Sequence, residues 1–191
     1  MKKALLTTIL ALSTSYATLA EAADYKIDVK GAHASINFKI KHLGYSWLTG
    51  RFNDFSGGFS YDPAAPEKSM VSVEINTASL DSNHAERDKH LRNDDFLDVE
   101  KYPKAHFQST GFKIQSDHEG VMTGDLTLHG VTKSISFPVQ KIGEGKDPWG
   151  GYRSGFSGVV KLKLADYGIT YNLGPASTHV ELELNIEGVK Q

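Results

Sequence analysis

Residues 180–186 read Val-Glu-Leu-Glu-Leu-Asn-Ile, with an apolar side chain at every second position and a polar one between. Successive side chains of a β-strand point to opposite faces, so this run predicts a strand with one buried face and one face in water. The same alternation, or a close variant of it, recurs along the chain. The sequence therefore predicts an all-β protein of eight or nine antiparallel strands, the others lying around 24–29, 36–40, 50–61, 71–75, 105–115, 120–129, 135–139 and 156–164.

Turn-forming residues separate these runs, as at Asp62-Pro63 and His129-Gly130. Short connections of this kind join neighbouring antiparallel strands. A sheet of this many strands that is wet on one face must pack against a second sheet or close on itself. Glycines within the strand runs, such as Gly57 and Gly158, suit the bends that closure requires. We therefore favour a single antiparallel barrel of about eight strands over a sandwich.

The N-terminus has the three-part pattern of a secretory signal peptide. Lys2 and Lys3 precede an uncharged apolar stretch at 4–12, and Ala20-Glu21-Ala22 places small residues at the −3 and −1 positions of a cleavage site. The apolar stretch is too short to cross a bilayer, and no later segment is apolar enough to do so. We expect residues 1–22 to be a signal peptide, residues 23–191 to form one barrel domain, and the mature protein to reside in the periplasm.

The composition excludes several classes of function. The chain has 21 Lys and Arg residues against 23 Asp and Glu residues, and this near-neutral balance argues against a nucleic-acid partner. It has no cysteine, which removes disulfides, thiolate catalysis, cysteine-type zinc sites and iron–sulfur clusters.

One segment departs from the strand pattern. Asn83-His84-Ala85-Glu86 resembles a capping box, with Asn83 as the N-cap, and predicts a short helix around residues 84–92 at the surface or at a barrel end. In this charged segment His84, Arg87 and His90 are candidates for a rim that meets an anionic headgroup. The alternative, which we favour, is a structural network in which neighbouring carboxylates neutralise Arg87.

The sequence contains no motif for metal binding or catalysis that we recognise. Its eight histidines form neither H-x-x-x-H nor H-E-x-x-H, and G-x-S-x-G is absent. We predict no catalytic residue, no metal site and no cofactor. Two alternatives stay open: a lipid-modifying enzyme that uses His84 or His90 at the barrel mouth, and a histidine-rich, metal-handling stress protein.

The inward faces of the strands are apolar. A closed barrel of about eight strands either packs solid or holds one small ligand, and the alternation does not decide between the two. If a void exists, its ligand must be apolar. The residues predicted to line it are Ile36, Phe38, Phe52, Phe59, Val73, Ile75, Phe107, Leu126, Leu128, Phe137, Phe156 and Leu162.

Several blocks of the chain together resemble the bacterial YceI family, over essentially all of residues 23–189. The blocks are Asp-Tyr-Lys-Ile-Asp at 24–28, His-Leu-Gly-Tyr-Ser-Trp-Leu at 42–48, Asn-His-Ala-Glu-Arg-Asp-Lys-His-Leu-Arg at 83–92, Lys-Tyr-Pro at 101–103, Thr-Gly-Asp-Leu-Thr-Leu-His-Gly-Val-Thr-Lys at 123–133, and Asp-Pro-Trp-Gly at 147–150 with Leu-Gly-Pro-Ala-Ser at 173–177.

This resemblance implies an extended lipocalin-like barrel that binds a long isoprenoid chain, such as a quinone tail or a polyprenyl phosphate. It also implies a secreted or periplasmic protein, in some members linked to stress responses. The family supplies no catalytic residues to carry over. We therefore expect a non-catalytic lipid-binding protein. Exposed barrel edges would permit a homodimer, although nothing in the sequence requires one.

Overall fold

The computed structural model describes residues 22–191. The predicted signal peptide at 1–22 therefore lies outside the described residues, apart from Ala22. The described part contains one α-helix, α1 (Ala85–Arg92), four short 3-10 helices and eleven strands. The strands are β1 (Ala23–Ile27), β2 (Ser35–His42), β3 (Ser46–Phe52), β4 (Phe55–Tyr61), β5 (Met70–Asn76), β6 (Leu80–Asp81), β7 (Lys104–Ile114), β8 (Glu119–Leu128), β9 (Val131–Lys146), β10 (Tyr152–Lys163) and β11 (His179–Lys190).

Eight of these strands form a closed antiparallel ring. The order around the ring is β1-β4-β5-β7-β8-β9-β10-β11, and β1 closes it by pairing with β11, with Tyr25 opposite Lys190 and Ile27 opposite Gly188. The other three strands extend ring strands along the chain, because β2 follows β1, β3 precedes β4 and β6 follows β5. The chain thus winds as eight long strands, three of them interrupted. The predicted barrel of about eight antiparallel strands is confirmed.

The interruptions lie side by side in the wall, at residues 28–34, 53–54 and 77–79. The second and third are tied together by backbone hydrogen bonds, from Asn53 N to Ser79 O at 3.1 Å and from Asn76 N to Asp54 O at 3.0 Å. Because of the first interruption, β11 pairs with β2 over its first half and with β1 over its last residues.

One of two buried clusters of apolar side chains extends to the end of the barrel that carries α1. Phe38, Phe52 and Leu80 are buried there, and Leu91 of the helix packs against the same cluster. Phe96, just after the helix, is also buried. These positions agree with the expectation that the helix lies at a barrel end. Within residues 22–191, no helix has the length and apolar character needed to span a membrane.

The predicted N-cap is wrong by one residue. Asn83 has a left-handed backbone, with φ of 61°, and its N–H is bonded to the Asp81 carboxylate. His84 has the extended conformation of an N-cap, and its Nδ1 accepts a hydrogen bond from the backbone N–H of Arg87 at 3.2 Å. The His84 imidazole nitrogen therefore caps the helix in place of the Asn83 side-chain oxygen, because Asn83 with its left-handed backbone cannot cap the first turn.

The turn between β8 and β9 is a two-residue hairpin turn. His129 and Gly130 both have positive φ, 51° and 73°, as a type I′ turn requires. A Cβ at position 130 would lie 2.5 Å from the ring of Tyr102. Glycine is therefore required here both for its conformation and for the close approach of Tyr102.

Candidate functional site

The ring of strands encloses a cavity. The space open to the centre of a water molecule is about 140 Å³. Because one water needs roughly 10–15 Å³ of such space, the cavity corresponds to about ten waters, or roughly 300 Å³ of liquid. It is therefore at the lower end of the range of ligand-binding pockets. Its walls come from seven ring strands, with Ile36 added from β2.

The surface of this cavity is almost entirely hydrocarbon. One polar group at its edge is the Ser69 hydroxyl, whose Oγ is buried and has no hydrogen-bond partner among residues 22–191. A space without polar partners holds water poorly and favours an apolar guest. Met70 lines the cavity and is itself 54% exposed, so the wall of the cavity extends to the surface at this residue.

The wall is thin at a second place. Val139, Ser157, Gly158 and Leu184 line both the cavity and a groove on the outer face of the sheet. Gly158 faces inward but has no side chain, and the ladder between β9 and β10 ends at this residue. Beyond it, residues 159–163 of β10 have no partner on β9 among the described residues.

Eight of the twelve predicted lining residues line the cavity: Ile36, Phe59, Val73, Ile75, Phe107, Leu126, Phe137 and Phe156. The other four lie elsewhere in the interior. Phe38 and Phe52 pack together, with ring centroids 6.0 Å apart, in the cluster at the helix end. Leu162 is buried in a second cluster that contains Tyr167, and Leu128 packs against it. Strand alternation gives the face of a residue but not its height in the barrel, and these four lie where the interior is filled.

Sequence reasoning missed further lining residues that share the same inward faces. The strand pattern was a sufficient signal for most of them, since they continue the alternation of strands that were recognised. They include Tyr61, Val71, Phe112, Met122, Ile135, Val139, Val160, Leu182, Leu184 and Ile186.

A polar group lies at the end of the barrel away from α1. Its position follows from a bulge in β9, where Gly143 pairs with Gly155 but Lys141 pairs with Phe156, so that Ile142 is an extra residue. The bulge reverses the alternation, which places both Lys141 and Glu144 toward the interior.

Lys141 is bound on two sides. Its Nζ donates to the Tyr61 hydroxyl at 3.0 Å and lies 3.0 Å from Oε1 of Glu144. The ammonium also lies 4.8 Å from the centre of the Tyr61 ring. Burial alone would lower the pKa of Lys141, but the hydrogen bonds to Tyr61 and Glu144 outweigh it and raise the pKa above its usual value. Lys141 is therefore charged at neutral pH.

The three predicted rim residues are placed at the helix, and none of them lines the cavity. His84 caps α1. Arg87 donates from Nε to Ser82 Oγ at 2.7 Å, and its terminal nitrogen donates to the Ser82 carbonyl oxygen at 2.5 Å. His90 Nε2 lies 3.1 Å from Asp95 Oδ2, and its ring packs between Phe96 and Tyr171. Headgroup binding by these residues stays a prediction.

The network around Arg87 is centred on Ser82. Asp88 accepts from the backbone N–H of Ser82 at 2.8 Å and from its hydroxyl. Burial would raise the pKa of Asp88, but these bonds and the charges of Arg92 and Arg87 hold it below its usual value. Arg87 is thus held mainly by a serine, whereas the sequence suggested direct neutralisation by Glu86 and Asp88.

One group of side chains within residues 22–191 has the spacing of metal ligands: Asp28, His33 and Glu187, on the outer face. Arg153 occupies the middle of this group. One of its terminal nitrogens lies 2.6 Å from a carboxylate oxygen of Asp28 and 2.6 Å from one of Glu187, while Nε bonds Asp147 at 2.9 Å. A divalent cation would have to displace the guanidinium, so the group is better described as an ion-pair network.

Comparison with known proteins gives consistent results. A family model described as "YceI-like domain" matches residues 25–188. A UPF0312 protein of Azotobacter vinelandii is 56% identical over 191 residues, the full length of both chains. The crystal structure of the Campylobacter jejuni YCEI protein is 28% identical, with a TM-score of 0.72, covering 97% of this chain and 99% of that one.

A more distant solved structure has the same fold. It is described as a polyisoprenoid binding domain from Saccharophagus degradans, is 19% identical with a TM-score of 0.64, and covers 90% of this chain and 100% of its own. The family match over nearly the whole described chain and the full-length relatives agree with the barrel geometry. The chain therefore belongs to the YceI-like family.

Proposed function

We propose that the protein is a non-catalytic binding protein that carries or sequesters a long-chain isoprenoid lipid, such as a quinone or a polyprenyl phosphate, or a similar lipid. The observation that carries this proposal is the apolar cavity in the centre of the barrel. The ligand named for the Saccharophagus degradans domain, which shares the fold, supports the same class of ligand.

The cavity suits an isoprenoid chain because such a chain needs few polar partners. Burial gains about 0.8 kcal/mol per CH₂, so an isoprene unit of five carbons gains about 4 kcal/mol in gross terms. Against an association cost of about 4–15 kcal/mol, one to four buried units are needed before any net affinity appears. A longer chain would leave the cavity past the exposed Met70 side chain, or enlarge the cavity by moving flexible lining side chains such as Met122.

We propose further that residues 1–22 direct export and that the mature protein acts in the periplasm. The order of a cationic start, an apolar stretch and a cleavage site with small residues supports this proposal. The intact mass of the protein isolated from a periplasmic extract should correspond to a chain that begins at Ala23. A full-length chain confined to the cytoplasm would refute the export proposal.

Mass spectrometry of an organic extract tests the binding proposal. Protein purified without detergent should release an isoprenoid in near-stoichiometric amount, and delipidated protein should take it up again. Leu184→Trp places a large side chain in the cavity and should abolish uptake, whereas Asn185→Trp, its outward-facing neighbour on β11, should not. Wild-type protein that neither contains nor takes up any apolar lipid would overturn the proposal.

A further inference from the structure

We infer that Lys141 and Tyr61 form a polar station at the end of the cavity that recognises an uncharged, oxygen-bearing lipid head, such as a carbonyl or a hydroxyl. This inference rests on the proposed function, since it assigns the end of the ligand that the apolar cavity leaves unbound.

The position of the pair supports this assignment. Tyr61 connects the apolar cavity with the polar group around Lys141, because the residue lines the cavity and its hydroxyl accepts a hydrogen bond from Lys141. Lys141 lies on the inward face of β9, two residues beyond Val139, which lines the cavity. Opposite Lys141 on β10 is Phe156, which also lines the cavity and packs edge-on against Tyr61, with centroids 5.3 Å apart.

The pair has donor capacity to spare. An ammonium carries three hydrogens, and the described residues account for two of them, at Tyr61 and Glu144. The Tyr61 hydroxyl accepts from Lys141, and its own hydrogen has no acceptor among residues 22–191, although the residue is 7% exposed. Because Tyr61 is buried, leaving its hydroxyl hydrogen without an acceptor is costly, so a ligand oxygen that accepts from it gains affinity.

Glu144 determines the charge of the head that fits. Its carboxylate pairs with Lys141, and the side chains of the two residues are 21% and 16% exposed. The pair is therefore close to neutral, and a phosphate would bring added negative charge beside a partly desolvated carboxylate. An uncharged acceptor avoids this repulsion. Of the head types compatible with an isoprenoid tail, the station thus favours carbonyl and hydroxyl groups over phosphate.

Three probes with one tail separate the contributions of head and tail: farnesane, farnesol and farnesyl phosphate. Their affinities for the delipidated full chain are measured by displacement of an uncharged naphthylamine fluorophore. Wild-type protein should bind farnesol more tightly than farnesyl phosphate. Lys141→Met should weaken farnesol about tenfold or more while leaving farnesane unchanged, because only the head loses a charged donor.

Two further variants keep the test decisive if Lys141→Met does not fold. Tyr61→Phe retains the ring against the cavity and should weaken farnesol alone. Glu144→Gln should strengthen farnesyl phosphate relative to farnesol, since it leaves the ammonium unneutralised. Lys161→Met, on the outward face of β10, serves as the control and should change nothing.

The outcomes separate the station from the proposed function. If farnesane binds but Lys141→Met and Tyr61→Phe leave the preference for farnesol intact, the station is refuted and the cavity is not. If wild-type protein prefers farnesyl phosphate, the argument from charge is refuted. If no probe binds to wild-type protein, the proposed function itself fails.

Discussion

Leu126→Asp is the sharpest test of the inward face of the barrel. Leu126 is 6% exposed on β8 and lines the cavity, while its neighbour Asp125 is exposed on the outer face. The strand thus already carries a carboxylate one position away, on its exposed face. Leu126→Asp places a carboxylate one residue further along the strand, and therefore on the inward face instead of the outward one.

The expected cost has two parts. Loss of the leucine should cost about 2–5 kcal/mol, as for other large-to-small core substitutions. A carboxyl group in an apolar interior has its pKa raised by up to about 3–5 units, and each unit corresponds to about 1.4 kcal/mol. At pH 7 the ionisation part therefore adds about 4 kcal/mol, for a total of roughly 6–9 kcal/mol. This approaches the whole stability of a typical domain, about 5–15 kcal/mol.

The pH dependence of stability identifies the cost of ionising the buried carboxyl group. Because the folded-state pKa is raised above the unfolded value near 4, the penalty is absent below about pH 4 and grows as the pH rises toward the folded pKa. Urea unfolding followed by circular dichroism at pH 4 and pH 7 should show a gap to wild type that is several kcal/mol larger at pH 7. Leu126→Asn should show a gap that does not depend on pH, and Thr123→Asp, on the outer face, should show little gap. A pH-independent effect of Leu126→Asp would mean that water reaches this position, and would refute the closed apolar interior.

Three further perturbations test other parts of the structure. Arg153→Met removes the partner that lowers the pKa of Asp28 and Asp147. Carboxyl groups with lowered pKa values stabilise the fold above the unfolded pKa near 4, so the loss in melting temperature should be largest at neutral pH and should shrink as the pH falls below about 4. A loss that grows toward acid pH would contradict this reasoning. Gly130→Ala should destabilise by about 1–3 kcal/mol in urea unfolding, because alanine resists the positive φ and its Cβ meets Tyr102; an unchanged midpoint would show that the turn adapts. Arg87→Ala should lower the melting temperature without changing lipid affinity, since Arg87 bonds Ser82 at the helix end; a selective loss of affinity for phosphorylated ligands would instead indicate headgroup contact at α1.

The fold could be predicted because strand alternation is a local signal that the barrel preserves almost everywhere. Residues 180–186 form part of β11, and every predicted strand overlaps a strand of the structure. The breaks at 53–54 and 77–79 could not be predicted, since they are stabilised by each other across the wall. The cap of α1 was misplaced for a similar reason, because the left-handed backbone of Asn83 is set by its bond to Asp81.

The cavity itself was only partly predictable. Alternation identified inward faces, but it could not show that Phe38 and Phe52 lie in the filled end while Phe59 and Phe156 lie beside the void. The Lys141–Glu144 pair escaped notice because residues three apart on a regular strand point to opposite faces, and only the extra residue at Ile142 brings both inward. A bulge of this kind depends on the partner strand and leaves no clear mark in the local sequence.

The pairing of β1 with β11 joins the two ends of the described chain. As the polypeptide is synthesised, the ring cannot be completed until β11 is available, so the earlier strands have unpaired edges until then. Such contacts between distant parts of a chain form slowly, and open edges invite association with other chains. Loss of residues 188–190 would remove every β1–β11 pair and leave the ring open between these two strands. Folding of this protein should therefore depend on protection of its unpaired strands, and short deletions within residues 188–190 should cause aggregation out of proportion to their length.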